Sequence, residues 1–388
     1  MATIFSFFSG SGFLDLGFEN AGFNVALVNE YHEPFLDAYK YSRAVMDYPK
    51  PEFGYYLNSI EEFVDGGKLT NELKQHVRKV QKEGELVGFI GGPPCPDFSV
   101  GGKNKGSEGD NGKLTRTYVE TIIEHQPDFF LFENVKGLWR TARHREFYEE
   151  MKSKLISSGY VLTENLTNCI QFGAPQDRDR ILLFGIKAEH VVGLLDIESL
   201  GRNALPKTLF DWSSHVTFTL DESLKLSSWP ETAVFEEGGV RAMPVGIKPE
   251  LTIQYWFEKN KVMEHPNSKH FFQPKSSKFK EIAEGDVGKK SFKRLHRWRF
   301  SPTAAYGNNE VHLHPYFARR LSAAEALAIQ SLPREFVLPP TMTLSNMFKT
   351  IGNGVPYVMA HGVASTVQDF LRIVNAYKRE NALLSESA

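Results

Sequence analysis

Through its first half the chain alternates short apolar runs with longer stretches whose apolar residues recur at helical spacing. Runs rich in Phe, Val, Ile and Leu predict strands over 3–9 (TIFSFFS), 24–29 (NVALVN), 85–91 (ELVGFIG), 128–134 (DFFLFEN) and 180–186 (RILLFGI). Helical patterns fall between them at 13–21, 31–43, 60–82, 113–125 and 144–158. Near-continuous apolar strands separated by helices indicate a parallel sheet covered on both faces, so the fold class expected is α/β and doubly wound. Beyond about residue 190 the periodicity fails, and Pro, Gly and Ser are scattered through to about 315. That stretch predicts a second, smaller, irregular domain. Helical spacing returns over 322–332 and 355–377.

The composition is that of an ordinary soluble protein, with 41% hydrophobic and 24% charged residues, and 388 residues suffice for two domains. No apolar run approaches the ~20 residues of a membrane helix, and the N-terminus lacks the basic-then-apolar order of a signal peptide. A cytoplasmic location, with no membrane partner, is expected. The two cysteines, Cys95 and Cys169, form neither a disulfide framework nor a metal-ligand spacing, so no metal is expected. The net charge of −2 argues by itself against a nucleic-acid partner. Its distribution changes that reading, because 269–299 holds ten Lys/Arg against three acids. Aromatic residues interleave there, as in HFFQPKSSKFK and RLHRWRF, which suits a face that meets phosphates and bases. A solvated charged surface accounts equally well for a basic run on its own.

Several strand ends carry candidate chemistry. The first strand runs into FSGSGFLDLGF, whose small residues let a ligand approach the backbone where a helix begins, although the spacing is not GxGxxG. The second strand ends at Glu30, about 20 residues on, where doubly wound folds place an acid on a ribose hydroxyl; an acid capping the next helix fits the same spacing. The loop GGPPCPDFSVGG holds Cys95 between prolines and paired glycines, at the sheet edge where open α/β proteins keep their sites. A lone cysteine is otherwise a small buried hydrophobe, and Cys169 keeps that reading. Glu133 ends another strand at this edge. In QDRDR, Arg178 and Arg180 share a face if the strand begins there, and suit a carbonyl or phosphate oxygen or a salt bridge.

Together these residues resemble the DNA cytosine-5 methyltransferases of prokaryotic restriction-modification type. FFSGSGFLDLGF is similar to the family's S-adenosylmethionine loop, GGPPCPDFS to its nucleophile loop, LFENVKGL to its Glu-Asn-Val motif and FGAPQDRDRILLFGI to its Gln-x-Arg-x-Arg strand. RRLSAAEALAIQSLP and IGNGVP resemble its two late motifs, and the order spans about 3–364. The resemblance implies a Rossmann-like, S-adenosylmethionine-dependent catalytic domain formed by 1–190 and 315–388, with 191–314 as the target-recognition domain. It implies methyl transfer to C5 of a flipped-out cytosine in a specific sequence of duplex DNA, with Cys95 as the nucleophile at C6. Glu133 would bind N3 and the exocyclic amine, Arg178 would steady the base carbonyl, and Arg180 is the second candidate. Phe8, Ser9, Gly10, Ser11, Gly12, Phe13, Glu30, Ser59, Ile60, Pro94, Asn353 and Val355 are expected to hold S-adenosylmethionine. Lys289, Lys290, Lys293, Arg294, Arg297 and Arg299 are expected to meet DNA phosphates.

Four departures stand out. Pro96 replaces the family's usual Gln, Ser59 its adenine aspartate, Gly354 its Ala or Ser, and Ser322 its Thr. With Ser59, the adenine would be gripped by Ile60, with Asp97 or Phe98 nearby. The first strand begins almost at Met1, which favours a compact bacterial or phage enzyme, expected to be monomeric, with a cognate restriction endonuclease as a functional partner. Two other readings stand beside this one. Transfer to tRNA uses the same chemistry, and an inactive DNA-binding relative would account for Pro96 and Ser59.

Overall fold

The structure, a computed structural model, describes residues 2–94, 110–221, 229–274, 276–288, 291–304, 306 and 312–386. Cys95, Pro96, Asp97, Phe98, Lys289 and Lys290 lie outside the described residues. The centre is a seven-stranded sheet of β1 (Ala2–Phe7), β2 (Asn24–Asn29), β3 (Tyr55–Tyr56), β4 (Leu86–Gly91), β5 (Phe129–Val135), β6 (Tyr160–Asn168) and β7 (Asp179–Lys187). Its order is β3-β2-β1-β4-β5-β7-β6, with β1 to β5 parallel and β7 antiparallel to both neighbours. The order reverses at β1 and β4, so a crevice opens beyond their carboxyl ends.

The five predicted strands are present, each within two residues of its expected ends. Two strands were not expected. β3 has only two residues, and β6 carries polar, half-buried Thr163, Glu164 and Asn165 on the sheet's outer edge. The helices are α1 (Phe13–Asn20), α2 (Glu33–Val45), α3 (Lys68–Lys82), α4 (Asp110–His125), α5 (Lys136–Arg140) and α6 (Ala142–Ser157). The single helix expected over 60–82 is two pieces. A short 3-10 turn, Ile60–Phe63, precedes α3, and Gly66 between them takes φ 79°, which ends a right-handed helix.

Alternation along the strands feeds two cores. Ile4, Val28, Ile90 and Leu131 face one cluster, where Met359, Ala360, Val363 and Val367 of the C-terminal helix Tyr357–Glu386 cover the sheet. Phe5, Phe7, Leu27, Phe89, Phe130 and Phe132 face the other, beneath Leu73 and Val77 of α3, Ile122 of α4 and Met151 of α6. Each fully buried side chain of this kind contributes roughly 1.5–3 kcal/mol, so the sheet is the most firmly held part of the molecule. The C-terminal helix lies so close to α1 that a Cβ on Gly17 would stand 2.5 Å from the Ala360 carbonyl carbon. A third cluster joins Phe13 and Leu16 of α1 to Leu327, Phe336, Met347 and Ile351. Met347 and Ile351 belong to a helix, Leu344–Asn353, that the sequence pattern did not single out.

Between α6 and the helix Ala323–Ile329, the described part of 191–314 is mostly loops with short helices such as Ile197–Arg202 and Ile253–Lys259. One two-residue parallel pairing, Lys293–Arg294 with His312–Leu313, is its only named sheet among the described residues.

Candidate active site

The loop after β1 has the tightest conformational demands in the crevice. Phe8, Gly10 and Gly12 take φ 53°, 56° and 80°, and Gly12 N–H donates to Ser9 O at 2.8 Å, closing a turn. A Cβ on Gly12 would stand 2.5 Å from the Tyr39 ring and 2.9 Å from Arg43 Nη2, so both the dihedral and the space call for glycine. Three side chains from other elements fasten this turn. Glu30 accepts from Gly10 N–H at 2.8 Å, the Ser11 and Thr350 hydroxyls are 2.7 Å apart, and Arg43 Nη2 donates to Gly12 O at 2.7 Å. The other Glu30 oxygen accepts from His32 N–H at 2.7 Å, just ahead of α2, so Glu30 links the entry of that helix to the loop. Burial raises the Glu30 pKa, and the backbone N–H groups pull it back.

The loop after β4 comes against Glu133 at the end of β5. A Cβ on Gly92 would stand 2.5 Å from Glu133 Oε2. Glu133 is 8% exposed, and its other oxygen pairs with Arg180 Nε at 2.5 Å. Antiparallel register sets Val135 opposite Arg180, so Glu133 and Arg180 are diagonal neighbours on one face. Pro94, exposed, carries the chain on from Gly92 toward Cys95. The loop thus meets the carboxylate where the described residues end.

Arg178 sits one residue ahead of β7 and points elsewhere. It is 2% exposed, and its guanidinium donates to Gly352 O at 2.8 Å and to Ala304 O at 3.3 Å. Of the two arginines, Arg180 joins Glu133, whereas Arg178 ties 304 and the 352–353 turn to the sheet. A buried amide pair extends that tie. Gln176 Nε2 donates to Gln330 Oε1 at 3.0 Å, Ala304 N–H donates to Gln176 Oε1 at 2.9 Å, and Gln330 Nε2 donates to Ile351 O. Gly354 packs on Phe13, whose ring a Cβ there would meet at 2.1 Å, so the space calls for glycine.

Ser59 caps the 3-10 turn in a capping box, its N–H donating to Glu62 Oε1 at 3.0 Å. Asn353 is exposed at the crevice, while Phe13, Ile60 and Val355 are buried in the cores, so contact with a ligand would fall to their backbone. Cys169 is fully buried beside Met359, and burial pushes its thiol up to about 12, so the structure makes it a core residue.

The basic segment requires a correction. Arg294 and Arg297 were expected at DNA phosphates, but both are buried with their donors committed. Arg294 Nε donates to Ile282 O at 2.7 Å, its Nη1 to Phe317 O at 3.1 Å, and its guanidinium lies 3.8 Å from the Phe235 ring centre. Arg297 clasps buried Glu284 through Nε at 2.8 Å and Nη2 at 3.0 Å. Lys293 and Arg299 are half-buried, and Lys269, Lys278 and Lys280 are exposed.

The chemistry of the crevice suits a nucleoside-bearing cofactor. Gly10 has nothing nearer to a notional Cβ than Thr350 Oγ1 at 4.0 Å, Ser9 Oγ is buried without a hydrogen-bond partner, and a carboxylate stands beside the turn. Missed by sequence reasoning were Arg43, Thr350, Gln176 and Gln330, which act through contacts far apart in the chain. A capping Thr343 before an apolar 347, 348, 351 pattern was the available signal for Thr350's helix.

The sheet order, the glycine turn and the acid-arginine pair define a Rossmann-like methyltransferase. The chain belongs to the C-5 cytosine-specific DNA methylase family, whose profile matches residues 2–369. It is 57% identical over 378 residues to the type II methyltransferase M.NmeDI of Neisseria meningitidis serogroup C, covering 97% of this chain and 85% of that protein. Its identity to the type II methyltransferase M.FnuDI of Fusobacterium nucleatum is 26%, over 97% of each chain. A solved structure titled a putative DNA modification methyltransferase, encoded within a prophage of E. coli, superposes with a TM-score of 0.59 at 20% identity, covering 96% of this chain and all of that one. The Dnmt2 methyltransferase of S. pombe superposes with a TM-score of 0.55 at 13% identity, covering 97% and 100%, a likeness of fold. The chain is therefore a DNA cytosine-5 methyltransferase.

Proposed function

We propose that this enzyme methylates C5 of a flipped-out cytosine within a specific sequence of duplex DNA, through a covalent bond between Cys95 and C6, and protects host DNA in a restriction-modification system. The observation that carries this reading is the Glu133 carboxylate, paired with Arg180 at 2.5 Å and seated against Gly92 in the loop that runs to Cys95. Cytosine C5 is a poor nucleophile. A thiolate adding to C6 pushes electron density to C5, while the Glu133 carboxyl delivers a proton to N3 and accepts from the exocyclic amine, so that negative charge does not accumulate on the ring. Arg180 orients that carboxylate, Arg178 holds the wall of the crevice, and loss of the C5 proton to a base then expels the thiolate. A stacked base is beyond reach, so the cytosine leaves the helix at a cost of a few kcal/mol.

S-adenosylmethionine, when bound, supplies a methyl group activated by its sulfonium. The turn Phe8 to Gly12, Glu30, Pro94 and Asn353 would hold it, with Ser59, Ile60, Phe13 and Val355 backing them. Residues 1–190 and 315–388 form the catalytic domain in this reading, and 191–314 the recognition domain. Lys289, Lys290, Lys293 and Arg299 meet phosphates there, joined by exposed Lys269, Lys278 and Lys280.

Incubation with tritiated S-adenosylmethionine tests the proposal. Label should enter duplex DNA and not tRNA, and Cys95→Ala should abolish transfer while DNA binding persists. Label in tRNA alone, or turnover retained by Cys95→Ala, would refute it. Bisulfite sequencing of a plasmid from expressing cells would give the target sequence.

A further inference from the structure

Beneath the glycine turn lies a group of ionisable side chains that the chemistry above does not use. Asp15 and Glu19 come from α1, Tyr39 and Arg43 from α2, and Asp15, Tyr39 and Arg43 are each at most 2% exposed. Arg43 is the hub. Its Nε pairs with Glu19 Oε2 at 2.8 Å, its Nη2 donates to Gly12 O at 2.7 Å, and its guanidinium lies 4.5 Å from the Tyr39 ring centre and 5.6 Å from that of Tyr48. Asp15 accepts from Ser6 Oγ at 2.9 Å, which secures the first turn of α1 to β1. Burial raises the pKa of both carboxyls, and Arg43 opposes the rise. A buried arginine between two acids is weak evidence for stability, since apolar residues of similar size hold a core at least as well. The arrangement has another use, because it fixes the direction of one carbonyl.

We infer that Arg43 is a positioning residue for the cofactor turn, holding the Gly12 carbonyl so that Ser9, Gly10 and Ser11 present their polar atoms to S-adenosylmethionine. Glu30 sets Gly10 N–H and Thr350 sets the Ser11 hydroxyl. The Gly12 carbonyl is the remaining point of the turn: it accepts from Leu16 N–H at 3.0 Å in the first turn of α1, and among the described residues Arg43 is the side chain that reaches it. Only a fork spans the two partners: a lysine ammonium bonds either Glu19 or Gly12 O, whereas the guanidinium bonds both at once. The inference rests on the cofactor reading above.

Arg43→Lys keeps the charge and loses the fork. Calorimetric titration with S-adenosylhomocysteine, the product, tests it without turnover. The wild-type enzyme should bind, and failure to do so would refute the cofactor reading itself. Given wild-type binding, Arg43→Lys should raise the Kd about tenfold, raise KM for S-adenosylmethionine in parallel, and leave kcat and the affinity for DNA alone within about twofold. A purely structural arginine would lower the melting temperature and leave the Kd below that temperature unchanged, and that result would overturn the inference. Should Arg43→Lys not fold, Glu19→Gln decides. It removes the ion pair that orients the guanidinium while leaving Arg43 in place, and an unchanged Kd in this variant overturns the inference equally.

Discussion

Replacing Gly92 with alanine presses a methyl group against the carboxylate of Glu133. The new Cβ would stand 2.5 Å from Oε2, where ordinary contact begins at 3.4 Å, so about 0.9 Å must be found. Gly92 does not have a positive φ, so alanine meets no backbone strain and the effect is one of space alone. Glu133 yields badly, because it is 8% exposed and held to Arg180 at 2.5 Å. Either the ion pair breaks or the loop carrying Cys95 retreats. A displacement of about 1 Å at a reacting group costs on the order of a hundredfold in rate, while overpacking costs roughly 1–3 kcal/mol of stability. Single-turnover transfer of a tritiated methyl group to duplex DNA measures the first, and urea unfolding the second. Gly201→Ala is the control, since a Cβ there meets nothing within 4 Å. A Gly92→Ala enzyme that transfers within about twofold of the wild-type rate would refute the placement of Glu133 against the nucleophile loop.

Three further outcomes are expected. Arg297→Met should cost about 3 kcal/mol, the low end for a broken buried pair because Glu284 keeps Arg241 at 3.4 Å, yet leave the salt dependence of DNA binding unchanged, whereas reversing Lys289 and Lys290 to Glu should weaken binding and flatten that slope; gel-shift titrations across a salt series separate the two. Cys169→Ala should keep full methyl transfer while lowering stability in a melting assay, since that thiol is packed in the core. Burial takes His296, beside Glu284 and three arginines, down to about 4, and His312, near Lys293, down to about 3. The unfolded chain then binds protons that the folded one refuses, so stability should hold above pH 6.5 and fall below it, by ~1.4 kcal/mol per pH unit for each histidine until the folded pKa is reached. Denaturant unfolding at pH 7 and pH 5 measures this.

The apolar runs made most of the sheet legible, because a parallel strand buried on both faces leaves a continuous record in sequence. β6 left none. As the edge strand it alternates with water and reads as a polar stretch, and its place beside β7 follows from tertiary pairing. The break before α3 was written in Gly66 and Gly67, yet the helical spacing on either side masks it. At the site, Glu133 and the Cys95 loop share an edge because both end parallel strands, which order alone predicts. Which arginine meets Glu133 depends on β7 starting at Asp179, and strand boundaries are the least legible feature of a sequence. The basic run misled by its linear count: the partners of Arg294 and Arg297 are backbone carbonyls and one glutamate, brought in by folding, that no charge tally includes.

The close seat of Ala360 on Gly17 has a consequence for the order of folding. The helix that carries the glycine turn, Phe13–Asn20, and the helix that covers it, Tyr357–Glu386, lie far apart along the chain, so their contact closes a long loop and forms late. Until Ala360 and its neighbours have packed, α1 presents a bare apolar groove to solvent, a surface for chaperones or for a second incompletely folded chain. A chain cut before residue 360 therefore leaves the helix that carries the glycine turn uncovered, and should not complete the fold.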